Sequence, residues 1–427
     1  MSHEPAVKQP LLPASAAPLA YYAFAYAGFA AAALVLAIDP AIPGASFYQP
    51  RVVALVHLLT LAWLTGSILG SLYIVAPLAL GVPMPAAKSD WMAFGAFAAG
   101  VIGMVSHFWI NTYDGMAWSA ALVVAAIATV AARLLRGLRR ARLPGGVRLH
   151  IVLAFINIFA AATVGMLIGF DRSRGFLGVS PLAALFAHAH IAAVGFVSML
   201  VIGLGYRLIP MILPAAMPAG RSIALSAVLL QIGLVLLATS LLIESSIVWP
   251  GALLIAAGFV SFAVHVRAML ARRMPRPPAL PARDWSTWQV HAAFACLLIA
   301  VCSGVVLSIG APDDYRLSLM WIYGVAGLVG FLAQMVAGMQ GRLVPLYAWY
   351  RAYAASGAPP ARAANGLPSA AFARSIFLSW ALALPMLLWG LPFENHLAIR
   401  GGAMCLLAGL GLGAAYVIHL MRAAKRV

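Results

Sequence analysis

Twelve long apolar runs dominate this chain and set what it can fold into. A helix of about 20 apolar residues crosses the hydrocarbon core of a bilayer, which is roughly 30 Å thick. Only 9% of the 427 residues are charged, whereas 64% are hydrophobic. We therefore predict an all-α polytopic membrane protein in a lipid bilayer, with helices over about 19–39, 51–77, 91–110, 116–136, 149–170, 182–211, 223–243, 247–271, 288–310, 317–348, 371–391 and 397–421.

The basic residues are unevenly distributed between the connecting loops. With the N-terminus in the cytoplasm, the cytoplasmic loops and tails hold 22 of the 27 Lys and Arg residues, and five fall on the other side: Arg51, Arg172, Arg174, Arg316 and Arg400. Basic residues concentrate in the cytoplasmic loops of membrane proteins. The distribution therefore predicts cytoplasmic N- and C-termini in a cell's inner membrane. It also explains the net charge of +17 without a nucleic-acid partner, for which the sequence shows no soluble domain.

Three of the predicted helices share a pattern of glycine and proline. Residues 57–77, HLLTLAWLTGSILGSLYIVAP, align with 190–210 after a shift of 133 positions, and these align with 325–345 after 135 more. A proline ends each copy, and we expect it near the cytoplasmic end of its helix, where a break costs little. The repeat predicts one transmembrane domain (19–421) between cytoplasmic tails (1–18 and 422–427), built from three four-helix units around a pseudo-threefold axis, at about 19–136, 149–271 and 288–421.

Histidines occur inside the predicted helices at corresponding positions. His57 and His190 hold the same place in two repeat copies, and His188 lies two residues before His190. Ionisable side chains within a bilayer are costly and mark functional sites. Since residues i and i+2 of a helix diverge by about 200°, His188 and His190 are predicted to face different sites. We predict that His57 and His190 are axial ligands of one haem. His188 is predicted to face another space, with His107 as a candidate neighbour, and a second haem, a metal or a hydrogen bond are the alternatives there.

Other interpretations of these residues stay open. Neutral histidines, hydrogen-bonded within the bundle, are the alternative to haem ligands. Arg51 lies at the predicted extracytoplasmic mouth near His57, where it either pairs with haem carboxylates or anchors the helix at the surface. His150 lies among arginines near a cytoplasmic helix end, which predicts an interfacial position. The sequence has no Cys-x-x-Cys-His motif for covalent attachment, so any haem is expected to be noncovalent.

These features resemble subunit I of the haem–copper oxidase superfamily, which includes the nitric oxide reductases. The resemblance lies in twelve helices in three arcs, a histidine early in helix 2 and a His-x-His pair on a repeat-equivalent helix. It implies a low-spin haem held by His57 and His190, for which we expect the b type, a second haem on His188 and, for an enzyme, an oxidoreductase of the oxidase or nitric oxide reductase type. The chain departs from the family because its His-x-His pair lies in the second unit and the copper ligands have no counterpart.

The sequence also resembles a second group of proteins and allows two other functions. The NnrS proteins, haem-containing twelve-helix membrane proteins linked to nitric oxide stress, are similar in architecture. We expect electron transfer or the handling of a diatomic gas, nitric oxide or oxygen, with quinol or an extracytoplasmic electron donor as partner. A secondary transporter is the alternative, because internal repeats and intramembrane histidines also occur in carriers. A structural or sensory subunit with a vestigial haem site is the third interpretation.

Overall fold

In the part of the chain that the structure describes, twelve helices are long and apolar enough to cross a membrane, and the fold is all-α, as predicted. The computed structural model describes residues 13, 15–44, 47–212, 215–218, 220–275, 284–357, 359–360 and 363–425. The helices are α1 Ala17–Ile38, α2 Pro50–Ala79, α3 Lys88–Trp109, α4 Met116–Leu138, α5 Gly145–Arg174, α6 Pro181–Met211, α7 Ile223–Leu242, α8 Trp249–Ala271, α9 Trp285–Gly310, α10 Asp313–Ser356, α11 Ala370–Gly390 and α12 His396–Ala424.

The ends of the chain and of α10 differ from the sequence expectation. Residues 1–12 and 14 of the predicted N-terminal tail and residues 426–427 of the C-terminal tail lie outside the described residues, while α12 itself continues to Ala424. We expected α10 to end soon after Pro345, but it continues to Ser356. Residues 349–356, WYRAYAAS, contain no glycine or proline, and Gly357, with φ of 70°, ends the helix in the left-handed conformation.

Three helices form the centre of the bundle. Inside the protein, α2, α6 and α10 bury 61%, 50% and 50% of their most apolar segments, against at most 44% for the other spans. The other nine helices surround them, because each contacts the next in the order α1, α3, α4, α5, α7, α8, α9, α11, α12, and α12 contacts α1. The histidines singled out in α2 and α6 therefore lie on central helices.

Each central helix contains a π-helical segment. The segments are Leu58–Thr65 in α2, Ile191–Ser198 in α6 and Val325–Ala333 in α10. They begin 133 and 134 residues apart, close to the repeat found in the sequence. The segment in α10 contacts both of the others, and His57 and His190 directly precede the first two. Since π-helical turns frequently occur at functional sites, these segments direct attention to the same region as the histidines.

Side chains satisfy backbone carbonyls within the π-helical segments. Thr65 and Ser198, at equivalent repeat positions, each donate a hydroxyl hydrogen bond of 2.9 Å to the carbonyl five residues earlier. The Asn157 amide donates to the carbonyl of Gly195 at 3.0 Å, and the Trp63 indole donates to that of Ala333 at 3.2 Å. Buried carbonyls need such partners, so these bonds hold the segments in place.

A buried carboxylate joins three helices at the opposite end of the bundle. Asp90, at the start of α3, is 1% exposed and forms an ion pair with Arg133 of α4. It also accepts hydrogen bonds from the Tyr73 hydroxyl of α2 at 3.2 Å and the Ser15 hydroxyl at 3.1 Å. Removal of one partner of a buried ion pair leaves the other charge uncompensated, so this carboxylate is expected to be important for stability.

Candidate functional site

A cavity of about 940 Å³ lies between the central helices and the outer ring, in the half of the bundle where α2, α6 and α10 begin. Ligand sites in proteins usually enclose about 300–1,000 Å³. The walls are mostly Leu, Val, Ile, Ala and Phe side chains, and the polar lining includes His57, His188, His190, Tyr48, Tyr113, Tyr323, Arg172 and Arg316. A large apolar space with a few convergent polar groups is typical of a ligand site.

The imidazole rings of His57 and His188 lie next to each other in this cavity. Their centres are 6.4 Å apart, and their planes are inclined by only 16°. Nδ1 of His57 lies 2.8 Å from the carbonyl oxygen of Val53, and Nδ1 of His188 lies 2.9 Å from that of Ala161. Because a carbonyl only accepts, each Nδ1 carries the proton and each Nε2 keeps a lone pair. Neither Nε2 has a hydrogen-bond partner among the described residues.

Neighbouring residues shape the space around these two rings. Phe108 packs against His57 with ring centres 4.5 Å apart. On the other side, a Cβ atom placed on Gly165 of α5 would lie 2.8 Å from Cε1 of His188, closer than such contacts allow. Because residue 165 has no side chain, the His188 ring can pack directly against α5.

His190 has a different neighbour. Its Nδ1 donates to the carbonyl of Phe186 at 2.7 Å, so its Nε2 accepts a hydrogen bond from the Tyr323 hydroxyl of α10 at 2.9 Å. Among the described side chains, the ring of His57 therefore pairs with that of His188. This differs from the predicted pair of His57 with His190. The sequence predicted different sites for His188 and His190; the two side chains have different hydrogen-bond partners, but they line the same cavity. Equivalent positions in the sequence repeat therefore do not make the rings of His57 and His190 face each other.

Two other predicted site residues lie outside the cavity lining. His107, in the last turn of α3, donates from Nδ1 to the carbonyl of Thr112 at 3.0 Å and packs against Gly115. It therefore closes the turn between α3 and α4 and is not the partner of His188. Arg51 is exposed, and its guanidinium lies 5.2 Å from the ring centre of Trp109. This position agrees with the interpretation of Arg51 as a surface anchor, because Arg51 does not line the cavity.

Two arginines that sequence reasoning passed over line the cavity. The Arg172 guanidinium, at the end of α5, lies 3.8 Å from the ring centre of Tyr48, and Arg316 lies 3.4 Å from a carboxylate oxygen of Asp313. Both belong to the five basic residues on the predicted extracytoplasmic side. Basic residues are uncommon in extracytoplasmic loops, and this was the signal in the sequence that could have identified the two arginines.

The donor set limits which metal the two imidazoles can hold. In the described part of the chain, no group of three or more His, Cys, Asp or Glu side chains is arranged for a metal ion. Protein-held zinc usually has at least three side-chain ligands. A haem needs only axial ligands from the protein, because its own ring supplies the other nitrogens. Two free Nε2 atoms in a large apolar cavity therefore fit a haem better than a bare ion.

Comparison with protein-family models and with curated proteins gives no relative from which a function can be transferred. No protein-family model matches the chain, and no curated protein matches it. The cavity and its histidines are therefore the basis for inferring a function.

Proposed function

We propose that this is a haem-binding membrane protein in which His57 and His188 would hold the haem iron. The observation that carries the proposal is the pair of nearly parallel imidazoles with centres 6.4 Å apart. A metal-bound imidazole nitrogen lies about 2.0–2.1 Å from the metal, so two rings on opposite sides of one ion have centres about 6 Å apart. Hydrogen bonds from Nδ1 to backbone carbonyls are typical of histidine ligands, because they fix the tautomer and the ring orientation.

The cavity supports the same ligand. Its apolar walls suit a macrocycle and exclude water, and Arg172 at the mouth suits a carboxylate substituent. When bound, a haem supplies an iron that exchanges an electron or binds a diatomic gas, and the polarity of its surroundings tunes its potential. We propose noncovalent, b-type binding, because no cysteine lines the cavity in the described residues. One haem per chain is favoured, because Nε2 of His190 already accepts a hydrogen bond from Tyr323.

The placement in the membrane follows from the charge distribution. With both termini in the cytoplasm, the cavity lies toward the extracytoplasmic side, where quinol or an extracytoplasmic donor can exchange electrons with it. Three central helices with equivalent π-helical segments inside a ring of nine support three four-helix units around a pseudo-threefold axis. This arrangement supports the resemblance to haem–copper oxidase subunit I. The function that we propose is electron transfer or the handling of nitric oxide or oxygen.

An absorption spectrum of the purified protein, oxidised and then reduced with dithionite, tests the proposal. We expect the sharp reduced bands of six-coordinate haem and about one haem per chain. A colourless protein from cells that contain ample haem would contradict the proposal. Because a cavity of about 940 Å³ also suits a carried solute, solute uptake by such a colourless protein in liposomes would support the secondary transporter instead.

Gly165→Ala is expected to weaken haem binding about tenfold, a typical effect of disturbing a histidine ligand's support. The added Cβ would push the His188 ring out of its place, since it would lie 2.8 Å from Cε1. Haem titration of the purified variants measures the effect. Gly327→Ala is the matched control, because Gly327 also lines the cavity but a Cβ there meets only Ala300, at 3.8 Å. Equal affinity in both variants would mean that His188 does not bind the haem.

Arg172→Gln is expected to weaken haem binding about two- to fivefold, the range for an exposed ion pair. The guanidinium lines the cavity mouth, where it can pair with a carboxylate. Arg51→Gln is the control, since Arg51 is also exposed but stacks on Trp109 outside the cavity lining. The same titration at low and high salt measures both variants. A larger loss for Arg51→Gln would restore the sequence prediction for that residue.

A further inference from the structure

We propose that His190 and Tyr323 form the recognition end of a binding site for a lipid-soluble phenolic ring, of which a hydroquinone is the redox-active form. This inference deepens the proposed function, because it gives the haem cavity a second, organic ligand. Its redox use rests on the proposed haem, whereas the binding itself does not.

The two side chains offer a complementary donor and acceptor. Nε2 of His190 is an acceptor, because Nδ1 of the same ring donates to the carbonyl of Phe186 at 2.7 Å. The Tyr323 hydroxyl, 2.9 Å from this Nε2, is a donor. A phenolic hydroxyl needs an acceptor for its proton and a donor for its oxygen. On binding, the single bond between His190 and Tyr323 would be replaced by two bonds to the ligand.

The surroundings of the pair favour a neutral planar ligand. The rings of His190 and Tyr323 are inclined by 21°, with centres 5.8 Å apart. Gly304 of α9 lets the Tyr323 ring pack directly against that helix, because a Cβ there would lie 2.9 Å from the ring. The neighbouring cavity walls from α8 and α9 are apolar and include Phe259 and Val301. An aromatic ring and an alkyl tail suit such a surface.

This pair is separate from the proposed haem ligands in its hydrogen bonding. The Nε2 atoms of His57 and His188 have no partner among the described residues, whereas Nε2 of His190 is already bound to a hydroxyl. The cavity therefore contains one pair of imidazoles available to a metal and one pair of groups that already form the kind of bond a phenol would form. Its volume, at the upper end of the usual range for ligand sites, supports two ligands.

Calorimetric titration of the purified full chain in detergent tests the inference. The probes are a decyl-substituted 1,4-benzohydroquinone, kept anaerobic, and its dimethyl ether, which has the same ring and tail but no O–H donor. We expect the hydroquinone to bind about tenfold more tightly than the ether, because one hydrogen bond contributes about that factor. Equal affinity would overturn the inference, since it would mean that the cavity binds the probes through apolar contacts alone.

Variants place the site within the cavity. His190→Phe is expected to abolish the roughly tenfold preference for the hydroquinone over the ether, because it removes the acceptor of the hydroquinone's O–H proton. Tyr113→Phe is the control, because Tyr113 also lines the cavity, and it should keep this preference. A preference for the hydroquinone that persists in His190→Phe would contradict the assignment. The titration needs no haem signal, so the two proposals can fail separately. A haem-containing protein that binds both probes equally would refute only this inference. A colourless protein that prefers the hydroquinone would refute only the haem proposal.

Discussion

His188→Ala is expected to remove the haem from the purified protein, whereas His190→Ala is expected to retain it. The two histidines lie two residues apart on α6, but of these two only the ring of His188 lies beside that of His57, and its Nε2 has no partner among the described side chains. His190 instead accepts a hydrogen bond from Tyr323. Loss of one of two axial ligands changes both haem retention and the six-coordinate spectrum. Haem content per chain and the reduced absorption spectrum measure the difference.

The two variants control for each other. Each removes an imidazole that faces the same cavity from the same helix, so a general loss of folding would affect both. A protein that loses its haem in His190→Ala and keeps it in His188→Ala would return the ligand pair to His57 and His190, as the repeat predicted. His57→Ala is expected to lose the haem in either case, which identifies the shared ligand.

Asp90→Ala is expected to destabilise the protein by about 3–5 kcal/mol, the effect of breaking a buried ion pair. The carboxylate is 1% exposed and partners Arg133, Tyr73 and Ser15. Its removal leaves the Arg133 guanidinium, 16% exposed, without its counter-charge. Thermal unfolding in detergent, followed by circular dichroism, measures the change.

The exposed ion pair of Asp313 and Arg316 provides the control for this prediction. Its side chains are 92% and 53% exposed and its atoms lie 3.4 Å apart. Asp313→Ala is therefore expected to cost no more than about 1 kcal/mol, as for surface pairs in general. If Asp90→Ala were as stable as Asp313→Ala, the buried carboxylate would not hold α2, α3 and α4 together.

Hydropathy was sufficient to predict the twelve helices but not the pairing of side chains. The length and apolar character of each run set the spans, and the repeat singled out α2, α6 and α10, which are the central helices. Which rings meet depends on rotation about each helix axis. In α2 and α6 this rotation changes at the π-helical segments that directly follow His57 and His190. A π turn contains more residues than an α turn, so regular helical geometry does not give the facing side chains.

Burial of a side chain by neighbouring helices could also not be predicted from the sequence. We expected His150 at the membrane interface because arginines surround it in the chain, yet its side chain is fully buried. Its Nδ1 donates to the carbonyl of Gly146 at 2.7 Å, and its Nε2 lies 3.0 Å from the Ser226 hydroxyl. Gly203 of α6 leaves the room for this contact, because a Cβ there would lie 2.6 Å from Cβ of His150. Only the packing of α5 against α6 and α7 determines this position.

The central claim is that one haem lies between His57 and His188, and a density map of the purified protein tests it most directly. Electron cryo-microscopy in detergent or a lipid disc, at a resolution that defines side chains, would locate any macrocycle in the cavity. We predict planar density between the two imidazoles, with both Nε2 atoms directed at its centre and a substituent near Arg172. A macrocycle held by His190, or a cavity with no such density in a protein from haem-replete cells, would contradict the claim.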